Sequence, residues 1–262
     1  SNFRGGVNLA LADMNGDGIP EVVSGAGESG GPHVRIFKAY GAVIDEFFAY
    51  DMASSHGVDV AVGDVDVDGD VDIVTSVGAG VSQDIVVWSV DGTETFRFTA
   101  DEFAQDVPLF VDLVDVDGDW QSEFVVSTGP GYSSMVAVYD HDGRYLVSFS
   151  PFTDTSGISV AAADIDGDFF DDIAVTSLAA SHDVRVFTKI GALRHVANQT
   201  TEGKGLRVAG MDIEVDGTDE IVLMDNRDAG KVYVRSLAND LEITSWSAPT
   251  FGAAFGPFIA AW

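Results

Sequence analysis

A period of about fifty residues, four short strand signals in each period and no sustained helical periodicity predict an all-β fold: a β-propeller of four-stranded antiparallel blades. The period is marked by five acidic segments: LADMNGDGIPEVVSG (Leu11–Gly25), VGDVDVDGDVDIVTS (Val62–Ser76), LVDVDGDWQSEFVVS (Leu113–Ser127), AADIDGDFFDDIAVT (Ala162–Thr176) and AGMDIEVDGTDEIVL (Ala209–Leu223). Their first aspartates, Asp13, Asp64, Asp115, Asp164 and Asp212, follow one another at steps of 51, 51, 49 and 48. A β-sandwich accounts for many short strands but not for this period.

Each repeat reads in the same order. A first strand with small residues (VNLALA, VDVAVG, VPLFVDL, ISVAAA, LRVAG) precedes the acidic segment, and its Ala and Gly suit the crowded axis where inner strands converge. The apolar run after the acidic segment (EVV, DIV, EFVV, DIAV, EIVL) is the second strand. Alternating segments (HVRIF, DIVVW, MVAVY, DVRVF, KVYVR) are the third, and turn signals such as Asp91-Gly92 and Asp142-Gly143 lead to a fourth. The repeats run at about 1–51, 52–102, 103–152, 153–200 and 201–250 within a single domain spanning 1–262. The remainder, 251–262, ends in GPFIAAW, which repeats the form of GISVAAAD at Gly157 and is either the start of a further repeat or a closing strand.

Composition narrows the partners. With 46% apolar residues the chain can bury a large core, and without Cys no disulfide holds it. Forty-three acidic against 13 basic residues give a formal charge of -30, which argues against nucleic acid and anionic bilayers and for cations. No apolar run of membrane-spanning length and no charged-then-apolar opening occurs. No membrane insertion is expected, and a signal peptide already removed is not excluded.

The register of the five copies assigns the carboxylates. Taken alone, Asp64-Val65-Asp66-Val67-Asp68-Gly69-Asp70 fits two frames, because Asp64/Asp66/Asp68 and Asp66/Asp68/Asp70 share one spacing. Aligned with the other copies, Asp64 is position 1, and positions 1, 3, 5 and 9 carry oxygen-bearing side chains throughout. Ca²⁺ takes six to eight oxygens, which a tight loop can supply from alternate residues, a position-7 carbonyl and a carboxylate at the start of the next strand. The expected ligands are Asp13, Asn15, Asp17 and Glu21 with the carbonyl of Ile19; Asp64, Asp66, Asp68 and Asp72 with that of Asp70; and Asp115, Asp117, Asp119 and Glu123 with that of Gln121. The fourth set is Asp164, Asp166, Asp168 and Asp172 with the carbonyl of Phe170, and the fifth is Asp212, Glu214, Asp216 and Glu220 with that of Thr218. Up to five ions are expected, one per loop. Gly18, Gly69 and Gly217 stand at position 6, where a left-handed turn is expected, whereas Trp120 and Phe169 stand there in the third and fourth copies. Those two copies carry Gly118 and Gly167 at position 4, so their turn is expected to be built differently.

These loops resemble the FG-GAP and related VCBS repeats, as in the calcium-binding propeller blades of integrin alpha subunits and of many secreted bacterial and archaeal proteins. The D-x-[DN]-x-D-G-x-x-[DE] pattern is met by Asp13–Glu21 and Asp64–Asp72, and by Asp212–Glu220 if Glu is allowed at Glu214. Asp115–Glu123 and Asp164–Asp172 depart at the glycine. GAGESGGPHVRIF (Gly25–Phe37) resembles the Gly-rich linker and third strand of bacterial members. The resemblance implies a secreted or cell-surface calcium-binding propeller. It does not fix one function, since such repeats serve adhesion proteins, lectins and accessory or catalytic parts of polysaccharide-degrading proteins.

Other chemistry is sparse. No HExxH, nucleophile elbow or phosphate loop occurs, and periodic carboxylates read better as metal ligands than as a glycosidase pair, so no catalytic residue and no enzyme are expected. Phe37, Trp88, Tyr139 and Phe187 end equivalent third strands and are expected to pack between blades. Trp120 and Phe169, on loops, are the candidate platform for a glycan, and Asn198 in Asn-Gln-Thr is a candidate glycosylation acceptor. The expected function is a calcium-stabilised binding, adhesion or structural module whose partner is another surface protein or a glycan.

Overall fold

The computed structural model describes residues 3–78, 82–179, 183–198, 205–225, 231–237 and 241–247. Five four-stranded antiparallel sheets form the blades of a propeller, and no helix occurs among the described residues. The first blade is β1 (Val7–Ala12), β2 (Glu21–Ala26), β3 (His33–Phe37) and β4 (Val43–Phe48). The second is β5 (Val58–Gly63), β6 (Asp72–Val77), β7 (Asp84–Trp88) and β8 (Glu94–Thr99). The third is β9 (Leu109–Val114), β10 (Glu123–Thr128), β11 (Val136–Tyr139) and β12 (Tyr145–Phe149). The fourth is β13 (Ile158–Ala163), β14 (Asp172–Ser177), β15 (Asp183–Phe187) and β16 (Leu193–Asn198), and the fifth β17 (Leu206–Met211), β18 (Glu220–Asp225), β19 (Lys231–Ser236) and β20 (Leu241–Ser247). GPFIAAW and its proposed role lie outside the described residues.

The core is divided into layers between blades. Val23, Val34 and Ile36 of the first blade meet Val58, Ile73 and Trp88 of the second, and Val74, Ile85 and Val87 of the second meet Leu109, Phe124 and Tyr139 of the third. The same arrangement joins the third blade to the fourth and the fourth to the fifth. A middle strand therefore buries both of its faces, each against a different neighbour. That is why β10 and β14 are buried at every residue, while the outer strands β4 and β8 keep alternate residues exposed.

The expected packing between blades is present at three of the four third-strand aromatics, Trp88, Tyr139 and Phe187. Trp88 rests on Phe47 of the preceding blade at 5.2 Å between ring centres, Tyr139 on Phe98 at 4.9 Å and Phe187 on Phe149 at 4.4 Å. The turn glycines Gly92 and Gly143 sit against the same outer-strand rings, where an added Cβ would approach Phe47 or Phe98 to 2.8 Å. Both also have positive φ, at 76°, so a glycine serves turn and packing together.

Polar contacts tie the inner strands. The carbonyls of Val58, Leu109, Ile158 and Leu206 open equivalent inner strands, and each accepts a side-chain donor from the preceding blade: Asn8 Nδ2 at 2.9 Å, Ser76 Oγ at 2.7 Å, Ser127 Oγ at 3.4 Å and Thr176 Oγ1 at 2.8 Å. Inner strands of all five blades line a central channel of about 520 Å³. Ala10, Ala61, Ala161 and Ala209 hold one level of it, and Asp112 replaces the small residue in the third blade.

Candidate metal centres

Each acidic segment connects the first strand of a blade to its second and folds around the position-1 aspartate. One oxygen of that carboxylate, Oδ2, accepts the position-6 N–H in every copy, from Gly18, Gly69, Trp120, Phe169 and Gly217, at 2.7–3.1 Å. The position-5 aspartates Asp17, Asp68, Asp119, Asp168 and Asp216 accept the position-7 N–H of Ile19, Asp70, Gln121, Phe170 and Thr218 at 2.9–3.0 Å. Asp64 thus occupies the station held by Asp13 in the first copy, and Asp72 opens β6 as Glu21 opens β2.

One expectation is corrected in part. Trp120 and Phe169 leave the backbone twist unchanged, since position 6 has positive φ in all five loops, at 81°, 95°, 69°, 67° and 88° in order. Position 4 does too, through Gly16, Val67, Gly118, Gly167 and Val215. The turn differs only in that the position-1 Oδ1 accepts the position-4 N–H of Gly118 and Gly167 in those two copies. The loop needs two left-handed residues, and every copy supplies glycine for at least one. A β-branched or bulky residue in this region carries strain on the order of 1–2 kcal/mol, which Val67, Trp120, Phe169 and Val215 bear.

The donor sets fit a hard cation best in the second and third loops. Asp64, Asp66 and Asp72 each offer a carboxylate oxygen within 4.8 Å of the others, as do Asp115, Asp117 and Glu123, a spacing that oxygens sharing one ion at roughly 2.3–2.6 Å can adopt. In the fourth loop the converging set is Asp164, Asp166 and Asp168, without Asp172. The first and fifth loops bring no such acidic triad together among the described residues. In the first, Asn15 Nδ2 donates to Glu21 Oε1 at 2.9 Å; in the fifth, Glu220 Oε2 accepts the N–H groups of Ile213 and Glu214 at 3.0 and 3.2 Å.

Position 9 carries the electrostatic cost. Glu21, Glu123, Asp172 and Glu220 are only 1–3% exposed. Burial, with repulsion from the neighbouring aspartates, pushes Asp72 up to about 6 and Glu123 up to about 7. A divalent ion would relieve both effects, because a buried carboxylate is costly unless paired or coordinated.

Position 8 has a role that the sequence pattern did not reveal. Asp171 Oδ2 accepts the backbone N–H of Asp115, and Asp219 Oδ2 that of Asp164, at 3.0 and 2.8 Å. Each reaches the position-1 residue of the preceding blade, so one acidic loop is fastened to the next. Trp120 and Phe169 are 85% and 86% exposed, so neither ring is tucked beneath its loop. Asn198 closes β16, and Gln199 and Thr200 lie outside the described residues.

The FG-GAP repeat family model matches residues 156–187, a span that contains β13, the fourth acidic loop, β14 and β15. The match spans part of one of the five repeats. No curated protein matches the sequence. Among solved structures, the chain is similar to a protein of unknown function from Bacteroides caccae, at 13% identity and a TM-score of 0.56 over 85% of this chain and 71% of that one. It is also similar to the V. cholerae biofilm matrix protein Bap1, at 17% identity and a TM-score of 0.52 over 94% of this chain and 39% of that one. A third is an Agrocybe aegerita lectin described as recognising non-reducing terminal N-acetylglucosamine, at 17% identity and a TM-score of 0.53 over 94% of this chain and 67% of that one. At such identities the likeness is one of fold. The matched span holds the loop that brings together Asp164, Asp166 and Asp168, where the second and third loops bring together positions 1, 3 and 9.

Proposed function

We propose that the chain is a calcium-stabilised binding or structural module of secreted or cell-surface location, without catalytic activity. The observation that carries this reading is the convergence of Asp64, Asp66 and Asp72, and of Asp115, Asp117 and Glu123, at the root of a blade's second strand. Calcium there supplies positive charge to oxygens that otherwise repel one another. The chain's own part is to aim them: the position-1 carboxylate fixes the turn, and the position-9 carboxylate ties loop to sheet. The FG-GAP match and the charge of -30 support a divalent partner.

The test is calcium stoichiometry by titration calorimetry in two variants. Asp64→Ala removes a position-1 ligand and is expected to lose one ion. Asp70→Ala leaves the position-7 carbonyl in place and is expected to retain it. Equal stoichiometry in both variants and the parent would defeat the reading of the second loop.

A second reading concerns what the module holds. Two rings exposed at 85% and 86%, each held at a strained backbone position, support glycan stacking at Trp120 and Phe169, and a lectin stands among the similar folds. Glycan-array binding that disappears in the Trp120→Ala/Phe169→Ala variant, with calcium stoichiometry preserved, is the expected result. Binding unchanged in that variant would place the contact elsewhere.

A further inference from the structure

We infer that Arg194 is the resident cation of the fourth loop and stands in for the metal ion that the neighbouring loops are built to take. Arg194 lies on β16, and its Nη1 donates to Asp166 Oδ2 at 2.7 Å and to Asp172 Oδ2 at 2.8 Å. These are positions 3 and 9, the pair that converges with position 1 in the second and third loops. One guanidinium nitrogen therefore sits between the two carboxylates that a metal ion would bridge.

The rest of the loop agrees. In the other four copies the position-9 carboxylate accepts the position-2 N–H: Met14 to Glu21, Val65 to Asp72, Val116 to Glu123 and Ile213 to Glu220, at 2.9–3.2 Å. Asp172 takes Arg194 instead. Correspondingly, the acidic triad of the fourth loop excludes Asp172, although its counterparts Asp72 and Glu123 belong to theirs.

The backbone explains how an outer-strand residue arrives there. In every blade the ladder between third and fourth strands slips by one residue at the same place, skipping Ile44, Thr95, Leu146, Arg194 and Ile243. A bulge re-aims the skipped side chain, and β16 begins at the same end of the blade as the acidic loop. Only the fourth blade places a cation at this position; the others have an aliphatic residue or threonine. A guanidinium gives fixed, permanently charged donors suited to two carboxylates, and it neutralises them without an ion from solution.

The inference rests on the calcium reading for the neighbouring loops, but its own contact can be measured without calcium. By titration calorimetry, Arg194→Gln is expected to bind one more calcium ion per chain than the parent and to show a larger rise in Tm with calcium. Arg194→Leu, which installs the residue found at Leu146, should do the same and guards against a residual contact from glutamine. Equal stoichiometry and equal calcium-induced shifts in the parent and both variants would overturn the inference. If none of the proteins bound calcium, the reading of the metal loops would fail, and Arg194 would then be judged in EDTA alone. There, the Tm losses of Arg194→Leu and Asp172→Asn should fall short of adding in the double variant, because both break one contact. Additive losses would overturn the role given to Arg194.

Discussion

Asp171 and Asp115 exchange two hydrogen bonds across the boundary between the third and fourth blades. The Asp171 carboxylate accepts the Asp115 N–H at 3.0 Å, and the Asp171 N–H donates to the Asp115 carbonyl at 2.9 Å. Asp219 and Asp164 repeat the arrangement one blade on, at 2.8 and 2.7 Å. Since Asp115 and Asp164 also organise their acidic loops, the order of one loop is coupled to the seating of the next blade.

Removing either position-8 carboxylate strands a partly buried N–H. Asp171→Ala and Asp219→Ala are each expected to cost about 1–3 kcal/mol in urea unfolding. Ser122→Ala, at position 8 of the third loop, serves as the control and should stay within about 0.5 kcal/mol. Equal effects at all three positions would mean that the contact between blades contributes nothing particular.

The left-handed residues give a prediction of opposite sign. Trp120→Gly and Phe169→Gly remove exposed rings from positions of positive φ, so each is expected to stabilise the chain by about 1 kcal/mol. Glycan binding, if these rings form the platform, should be lost in the same variants. A loss of stability beyond about 1 kcal/mol would show that the rings are held by packing instead.

The channel sets a pH dependence separate from the metal loops. Enclosure there pushes Asp59 up to about 6, against the opposing pull of Arg207, and Asp112 up to about 7, helped by repulsion from Asp59 and Asp171. A carboxyl raised on folding binds its proton more tightly in the native state. Its contribution is therefore complete below the unfolded value near 4 and is lost as pH rises through the folded value. With calcium saturating, so that the loop carboxylates stay coordinated, stability should fall between about pH 4 and pH 7. Asp112→Asn should flatten that slope in pH-resolved urea melts. An unchanged slope would remove Asp112 as its source.

The blades were legible because alternation, turn dipeptides and the loop period repeat five times, and because the copies together resolve a frame that Asp64–Asp70 leaves open. The remaining features involve residues with no signature of their own. Asp171 and Asp219 look like surplus charge beside the metal pattern, since their partners lie 55 or 56 residues away. Arg194 reaches Asp172 across 22 residues through a ladder slip that composition does not show. The second left-handed position was hidden because a glycine at position 6 or at position 4 satisfies the eye, although the backbone uses both. Asp112 stands where alanine stands in the other inner strands, and only the assembled channel shows what it faces.

The central claim is that divalent ions at the loop carboxylates order the blades. The most direct test is the Tm of the parent chain in EDTA and in calcium, with ionic strength matched by monovalent salt so that screening is constant. On the proposed reading calcium would bind the folded loops and not the unfolded chain, so the second and third sites at tenfold over Kd would add about 3 kcal/mol. For a chain of this size, that corresponds to a rise of roughly 10 °C. A clear upward shift with calcium, reversed by chelation, is the predicted result; the same Tm in EDTA and in millimolar calcium would contradict the account.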